Sequence, residues 1–368
     1  MVAAVPWARH QLLVGELLPG DHVRLPVDRD QVEIEPSLRR SISPWHDAVA
    51  LHRLTGRLRR GRYALLVTHQ SKAGALGRTA AGRAAIPVIH SLSMASFGAG
   101  YGRVSSAVFR RVERLLVSRT SAYAVVGHDL SRQYEALGID AGKLHVVRSG
   151  ARLPAPPADR AAARAALAQT AGYEEGRTVL AYVGSLEARK NPLMLLDLLA
   201  QTRALLPDRD PVLVVAGDGP ERGALETAIQ AQGLDAHVKL LGHVTDPAVV
   251  FGSAAVVVLL SQVEGLPQVL LQAAACEVPF VAFDVSGVRE MFDLGATGRA
   301  VPIGDVAGAA EAVAALLADE ASAPRAISLD EWRPEVISAR YSELFASVIP
   351  GGYDAEAGRP AAVPSGTR

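Results

Sequence analysis

Short runs rich in Val, Leu and Ile alternate with longer amphipathic segments along most of the chain. In the first half, the runs Tyr63–Thr68, Ile86–His90, Ala122–Val126 and Leu144–Val147 predict strands. In the second half the predicted strands are Thr178–Val183, Val212–Ala216, Val238–Leu241, Val256–Leu260, Val278–Ala282 and Arg299–Pro302. Pro192–Leu206, Pro220–Gln232 and Pro267–Cys276 carry helical patterns, each opening on a proline at its favoured first position. Strands that read as continuous apolar runs, with helices between them, predict parallel sheets covered on both faces: an α/β fold of two Rossmann-like domains facing across a cleft. The expected domains are 1–150 and 178–329. Between them, 151–177 starts Pro-rich and turns Ala/Arg-rich, as a linker running into a helix would. The tail 350–368 is Gly/Pro/Ala-rich with little to bury, so disorder is expected there.

Composition narrows the class. Of 368 residues, 49% are hydrophobic and 21% charged, ordinary values for a globular enzyme of two domains. No apolar run approaches the ~20 residues of a membrane helix, and the first residues lack the pattern of a secretory signal. The single cysteine, Cys276, excludes an internal disulfide and suits a reducing cytoplasm; it reads as a small buried hydrophobe. Net charge is zero, but residues 1–150 carry 21 Lys/Arg against 11 Asp/Glu and residues 151–368 carry 17 against 27. Ala48–Val112 holds eleven basic residues and no acidic one. Such a field attracts anions: a phosphorylated acceptor, or anionic headgroups in peripheral contact at the inner membrane face. It is equally the solvated surface of an Arg-rich chain. No aromatic-studded basic motif accompanies it, so nucleic acid is not an expected partner.

Three loops can do chemistry. In Val183–Pro192 a strand ends at Gly184, Ser185 follows, and Arg189 and Lys190 stand at a helix mouth, where free backbone N–H groups already suit a phosphate. Only four lysines occur in the chain, which makes Lys190 informative. In Ala216–Pro220, Gly217 and Gly219 permit a tight turn and close backbone approach between strand and helix. In Ser261–Cys276, Glu264 lies at the end of a strand. Gly265, Leu266 and Pro267 lead into a helix whose N–H groups would face an anion, and Gln272 lies eight residues beyond Glu264. A buried Glu264 requires a cation nearby, either Lys190 or Arg189.

With these elements in this order, residues 178–348 resemble the retaining GT-B glycosyltransferases of the family-4 type. The matching pieces are V-G-S-L-x-x-x-K (183–190), A-G-D-G-P (216–220), E-G-L-P (264–267), D-V-S-G-V-R-E (284–290), G-A-T-G-R-A-V-P (295–302) and I-G-D (303–305). The resemblance implies a nucleoside-diphosphate sugar as donor, Glu264 on the donor sugar, Lys190 on the diphosphate and the position of Gln272 on ribose hydroxyls. It implies neither cofactor nor metal, and a helix crossing back to the first domain over 330–349. The chain departs from the family pattern at Ser185, where an Arg is usual, at Gln272, where a second Glu is usual, and at Glu277, where a Gly is usual.

The first half is similar to the same family more loosely. His69–Arg78 looks like its H-x-x-K-A-G-x-L-G-R segment, which implies His69, Lys72 and Arg78 on the acceptor side. Ile86–Ser91 lies where the family has an active-site histidine, here His90. The family's opening strand has no counterpart, since RHQLLVGELLP reads as the helix that follows it. The expected activity is transfer of a sugar to an acceptor hydroxyl, with a lipid-linked or polysaccharide intermediate as the acceptor class. Two alternatives stay open: a degenerate, non-catalytic binding protein, and a nucleotide-sugar epimerase, which would need additional carboxylates.

Overall fold

A computed structural model describes residues 5, 7–16, 31–39, 41–98, 100–150, 153–318 and 326–349, with the backbone of 353–354 and 359–360. The chain divides into two compact units. Unit 1 comprises residues 1–150 and 330–368, and unit 2 comprises 151–329.

Unit 1 opens with strands β1 (Leu12–Val14) and β2 (Val32–Ile34), which pair in parallel as a sheet of their own. There follow α1 (Pro44–Arg60), β3 (Leu66–His69), α2 (Ser71–Ala84), β4 (Val88–Leu92), α3 (Arg103–Leu116), β5 (Ala122–Val125), α4 (His128–Glu135) and β6 (Leu144–Val146). Strands β3-β4-β5-β6 form a parallel sheet in that order.

In unit 2, α5 (Arg160–Ala171) leads into β7 (Val179–Val183), α6 (Met194–Leu205), β8 (Val212–Ala216), α7 (Arg222–Ala231) and β9 (Val238–Gly242). Then come α8 (Ala248–Ser253), β10 (Val256–Leu259), α9 (Gln268–Ala275), β11 (Phe280–Phe283), α10 (Val288–Asp293), β12 (Gly298–Val301) and α11 (Val306–Ala318). After Leu329 the chain returns to unit 1 with α12 (Pro334–Val348). The tail expected to be disordered lies outside the described residues, apart from the antiparallel pair β13 (Tyr353–Asp354) and β14 (Arg359–Pro360).

The sheet of unit 2 runs β12-β11-β10-β7-β8-β9, all parallel. Connections run outward in both directions from the β7/β10 pair. That is the switch point at which open α/β sheets bind ligands, at the carboxyl ends of the strands. The unbroken apolar runs of β8, β10 and β11 are buried along their whole length, as strands covered on both faces must be. In unit 1, Ile337, Tyr341, Leu344 and Phe345 of α12 pack on Ile89, Ala122, Ala124 and Val147. The entry to α12 is fixed by Glu331, which accepts from Arg148 at 2.9 Å and Arg340 at 2.8 Å. Among the described residues no helix is long and apolar enough to cross a membrane.

Two local expectations are corrected. RHQLLVGELLP does not begin as a helix, because Leu12–Val14 pairs with Val32–Ile34, and local periodicity does not register that distant partner. The three prolines precede their helices rather than opening them. At α6 the entry is a tight turn in which Met194, Leu195 and Leu196 donate to Asn191, Pro192 and Leu193, at 3.1, 3.3 and 3.1 Å. The i→i+3 spacing of these bonds moves the first α-helical residue past Pro192.

Just beyond α9, Glu277 has φ +55°, in the left-handed region, and Arg160 donates to its carbonyl at 3.3 Å. A side chain there costs about 1 kcal/mol relative to glycine. Glu277→Gly is therefore expected to raise the unfolding free energy by about that amount, measured by urea titration. An unchanged midpoint would show that the strain is relieved locally.

Candidate active site

Three loops at the carboxyl ends of the adjacent strands β10, β7 and β8 meet at the switch point. After β7 the chain passes through Gly184 and Ser185 into a short 3-10 turn, Ala188–Lys190, and Asn191 takes a left-handed conformation, φ +50°. Tyr182 Oη donates to the Ser185 carbonyl at 2.8 Å, and Leu186 N–H to the Asp218 carbonyl at 2.9 Å. The Ala216–Pro220 turn lies so close that a Cβ on Gly217 would come within 1.8 Å of the Gly184 carbonyl oxygen. On Gly219 it would come within 2.5 Å of the Leu186 oxygen. These two glycines are there for close approach of backbone to backbone.

The loop after β7 is also stitched to the loop after β10. Asn191 Nδ2 donates to the Leu260 carbonyl at 2.8 Å, Gln262 Nε2 to Asn191 Oδ1 at 2.8 Å, and Gln262 N–H to the Arg189 carbonyl at 2.8 Å. This holds Lys190 Nζ at 2.5 Å from Glu264 Oε1, with both side chains largely buried. Arg189 stands beside them, its Nε donating to Glu187 at 2.8 Å and its Nη1 3.9 Å from Glu264 Oε2. That Nη1 is buried without a hydrogen-bond partner, as is Ser261 Oγ at the end of β10. An orphaned buried donor is costly, and this one has its hydrogen-bonding capacity unused. Gly265, Leu266 and Pro267 lead from Glu264 into α9, where the Leu270 and Leu271 N–H groups donate to the Pro267 carbonyl at 3.0 and 3.4 Å. Gln272 lies half-buried on α9. Ser185 Oγ donates to Glu187 at 2.9 Å, which leaves this hydroxyl as a loop contact.

Gly184, Ser185, Arg189, Lys190, Gly217, Gly219, Glu264, Gly265, Leu266 and Pro267 are thus gathered at one sheet edge. Sequence reasoning missed Asn191 and Gln262, which tie the two cationic residues to the Glu264 loop. The left-handed Asn191 before a proline was the signal that could have found the first of them. Cys276 is buried, and burial pushes its thiol up to about 11, which leaves it inert.

In unit 1 the expected site residues separate. His69 is exposed at the end of β3. Lys72, in the first turn of α2, pairs with Asp47 and donates to the Ser41 carbonyl. Arg78, expected on the acceptor side, lies in the core of unit 1. It is wholly buried, and its two terminal nitrogens donate to Glu113 of α3 at 2.8 Å each. His90 is also wholly buried, its Nδ1 2.8 Å from Thr68 Oγ1 and its Nε2 without a partner. Burial, and then the charge of Arg78, hold its pKa well below the ordinary histidine value, so the ring is neutral. A Cβ on Gly74 would reach within 2.3 Å of this ring, so the glycine lets α2 lie on β4. Among the described residues no group of three or more His, Cys, Asp or Glu could hold a metal.

Two family descriptions divide the chain. "Glycosyl transferases group 1" matches residues 164–329 and "Glycosyl transferase 4-like domain" matches residues 4–150. The alpha-D-kanosaminyltransferase of Streptomyces kanamyceticus is 36% identical over 165 residues, covering 44% of this chain and 42% of that protein. The chain therefore spans less than half of that relative's length. The Escherichia coli UDP-Gal:alpha-D-GlcNAc-diphosphoundecaprenol alpha-1,3-galactosyltransferase is 27% identical over 270 residues, 70% of this chain and 68% of that one. Among solved structures, Anabaena HepE in complex with UDP superposes with a TM-score of 0.62 at 20% identity, covering 86% of this chain and 82% of that one. That likeness identifies the fold as GT-B.

Proposed function

We propose, from the premise that the chain belongs to the family-4-type GT-B glycosyltransferases, that it transfers a sugar from a nucleoside-diphosphate sugar to an acceptor hydroxyl with retention of configuration. The observation that carries this reading is the Lys190–Glu264 pair at the β7/β10 switch point, with the free Nη1 of Arg189 beside it. The diphosphate lies against Lys190, Arg189 and the N-terminal turn of α9, where fixed positive charge stabilises the departing phosphate without a metal. Arg189 supplies the second cation that Ser185 does not. Glu264 accepts from donor-sugar hydroxyls, and Gln272 bonds the ribose. The acceptor hydroxyl attacks on the face that the diphosphate vacates, and its proton passes to a phosphate oxygen of the leaving group.

Uridine is the proposed base, because UDP occupies the structurally similar HepE. The E. coli relative's name specifies a UDP donor and a diphosphoundecaprenol acceptor, which supports a lipid-linked acceptor here. His69 and Lys72 are the proposed acceptor contacts. Arg78 and His90, both sealed in the core, are left out of the chemistry.

The test is incubation with a panel of UDP-sugars and lipid-linked acceptors, followed by NMR of the product's anomeric centre. Retained α configuration is the expected result. An inverted product would overturn the stereochemical reading, and no UDP release from any donor would overturn transfer itself.

A further inference from the structure

A cavity of about 630 Å³ opens at the amino ends of β7 and β10, on the edge of the unit 2 sheet opposite the donor loops. Strand β7 has five residues, so roughly 17 Å, at ~3.3 Å per residue, lies between the two edges. Helix α5 shapes one wall. It ends at Gly172 in a left-handed turn, and the Gly172 and Tyr173 N–H groups both donate to the Ala168 carbonyl, at 2.9 and 3.1 Å. That cap fixes Tyr173 on the lining. Ala161 and Arg164, three apart on α5, share the face toward the cavity, while Ala163, Leu167 and Ala168 of the same helix are buried. Arg209 comes from the short turn Pro207–Arg209 before β8, and Val179 and Leu317 add apolar surface.

Three arginines and one carboxylate, Glu175, line this cavity. Arg177 is already compensated, paired with Asp210 at 2.8 Å and donating to the Ala236 carbonyl at 2.8 Å. Arg164 and Arg209 are exposed, and among the described residues neither guanidinium has an acidic partner. Glu175, also exposed, pairs with neither. Tyr173 Oη is buried without a hydrogen-bond partner. Burial raises the pKa of this phenol and the charges of Arg164 and Arg177 oppose the rise, which sets both guanidinium groups near the hydroxyl.

We propose that this cavity is a second ligand site of unit 2, one that takes a small organic phosphate monoester. The phosphate, close to a dianion at neutral pH, takes the guanidinium forks of Arg164 and Arg209 and matches their two uncompensated charges. A carboxylate would leave one of those charges unmatched. Tyr173 Oη donates to a phosphate oxygen, which satisfies the orphaned hydroxyl. The body of the ester covers Val179 and Leu317, in a volume that lies within the ~300–1,000 Å³ of small-molecule sites. No residue is shared with the Lys190–Glu264 site, so either can fail alone.

The test is calorimetric titration of the full chain with inorganic phosphate, glucose 1-phosphate and AMP, each with and without saturating UDP. At least one of the two monoesters is expected to fill one site that UDP does not displace, at least about tenfold tighter than inorganic phosphate does. Arg164→Gln with Arg209→Gln should raise that dissociation constant at least about tenfold, and Tyr173→Phe about threefold or more. Circular dichroism melting checks that both variants remain folded. Four results would overturn the proposal: no monoester binding, displacement by UDP, a monoester that binds no tighter than inorganic phosphate, or an affinity that the arginine substitutions leave unchanged.

Discussion

Lys190→Ala is expected to lower kcat/KM at least about tenfold, a loss of about 1.4 kcal/mol of transition-state stabilisation. Two effects combine. In the proposed reaction the departing diphosphate loses its nearest point charge, and Glu264 loses the ammonium that stands 2.5 Å from it. Arg189, 3.9 Å from the same carboxylate and bound to Glu187, compensates only in part. A purely structural role for the lysine would give a different pattern. Pairing Lys190→Met with Glu264→Gln removes both charges and avoids leaving one buried alone. That double variant should regain thermal stability and stay inactive. Recovery of turnover along with stability would show that the pair holds the loops together and does no chemistry.

The second large effect concerns the fold. Arg78→Ala is expected to destabilise unit 1 by about 3–5 kcal/mol, because it leaves Glu113 charged and unpaired in the core. Arg78 also donates to the Gly74 carbonyl at 3.1 Å, which the alanine loses as well. Arg78→Met with Glu113→Leu keeps the volume and removes both charges, so it should recover most of the loss, read as a urea midpoint. A single variant as stable as the unsubstituted protein would mean that water reaches Glu113.

Much of the second unit is legible in the chain. Val212–Ala216 and Val256–Leu259 announce themselves as buried parallel strands because their apolar runs are unbroken and flanked by glycine-bearing turns. Lys190 and Glu264 stand out because each follows such a strand and precedes a helix. The β12-β11-β10-β7-β8-β9 order is what brings their loops together. That order depends on pairing between distant segments, which no local pattern carries.

The first unit is harder to read for the same reason. Arg78 looks like one more basic residue in a motif, since its partner lies 35 positions away on another helix. His90 stands near the end of an apolar run, where a ligand-facing side chain is natural. In a strand covered on both faces, that position is as buried as its neighbours. Leu12–Val14 is three residues long, too short for periodicity to separate strand from helix.

The most direct test of the donor site is calorimetric titration of the unsubstituted protein and of Lys190→Ala with UDP, and with GDP and ADP for comparison. The account predicts one saturable UDP site, weaker binding of the other two nucleotides, and a UDP dissociation constant raised at least about tenfold by the substitution. Equal affinity of the two proteins for UDP, or no nucleotide binding by the unsubstituted protein, would contradict it.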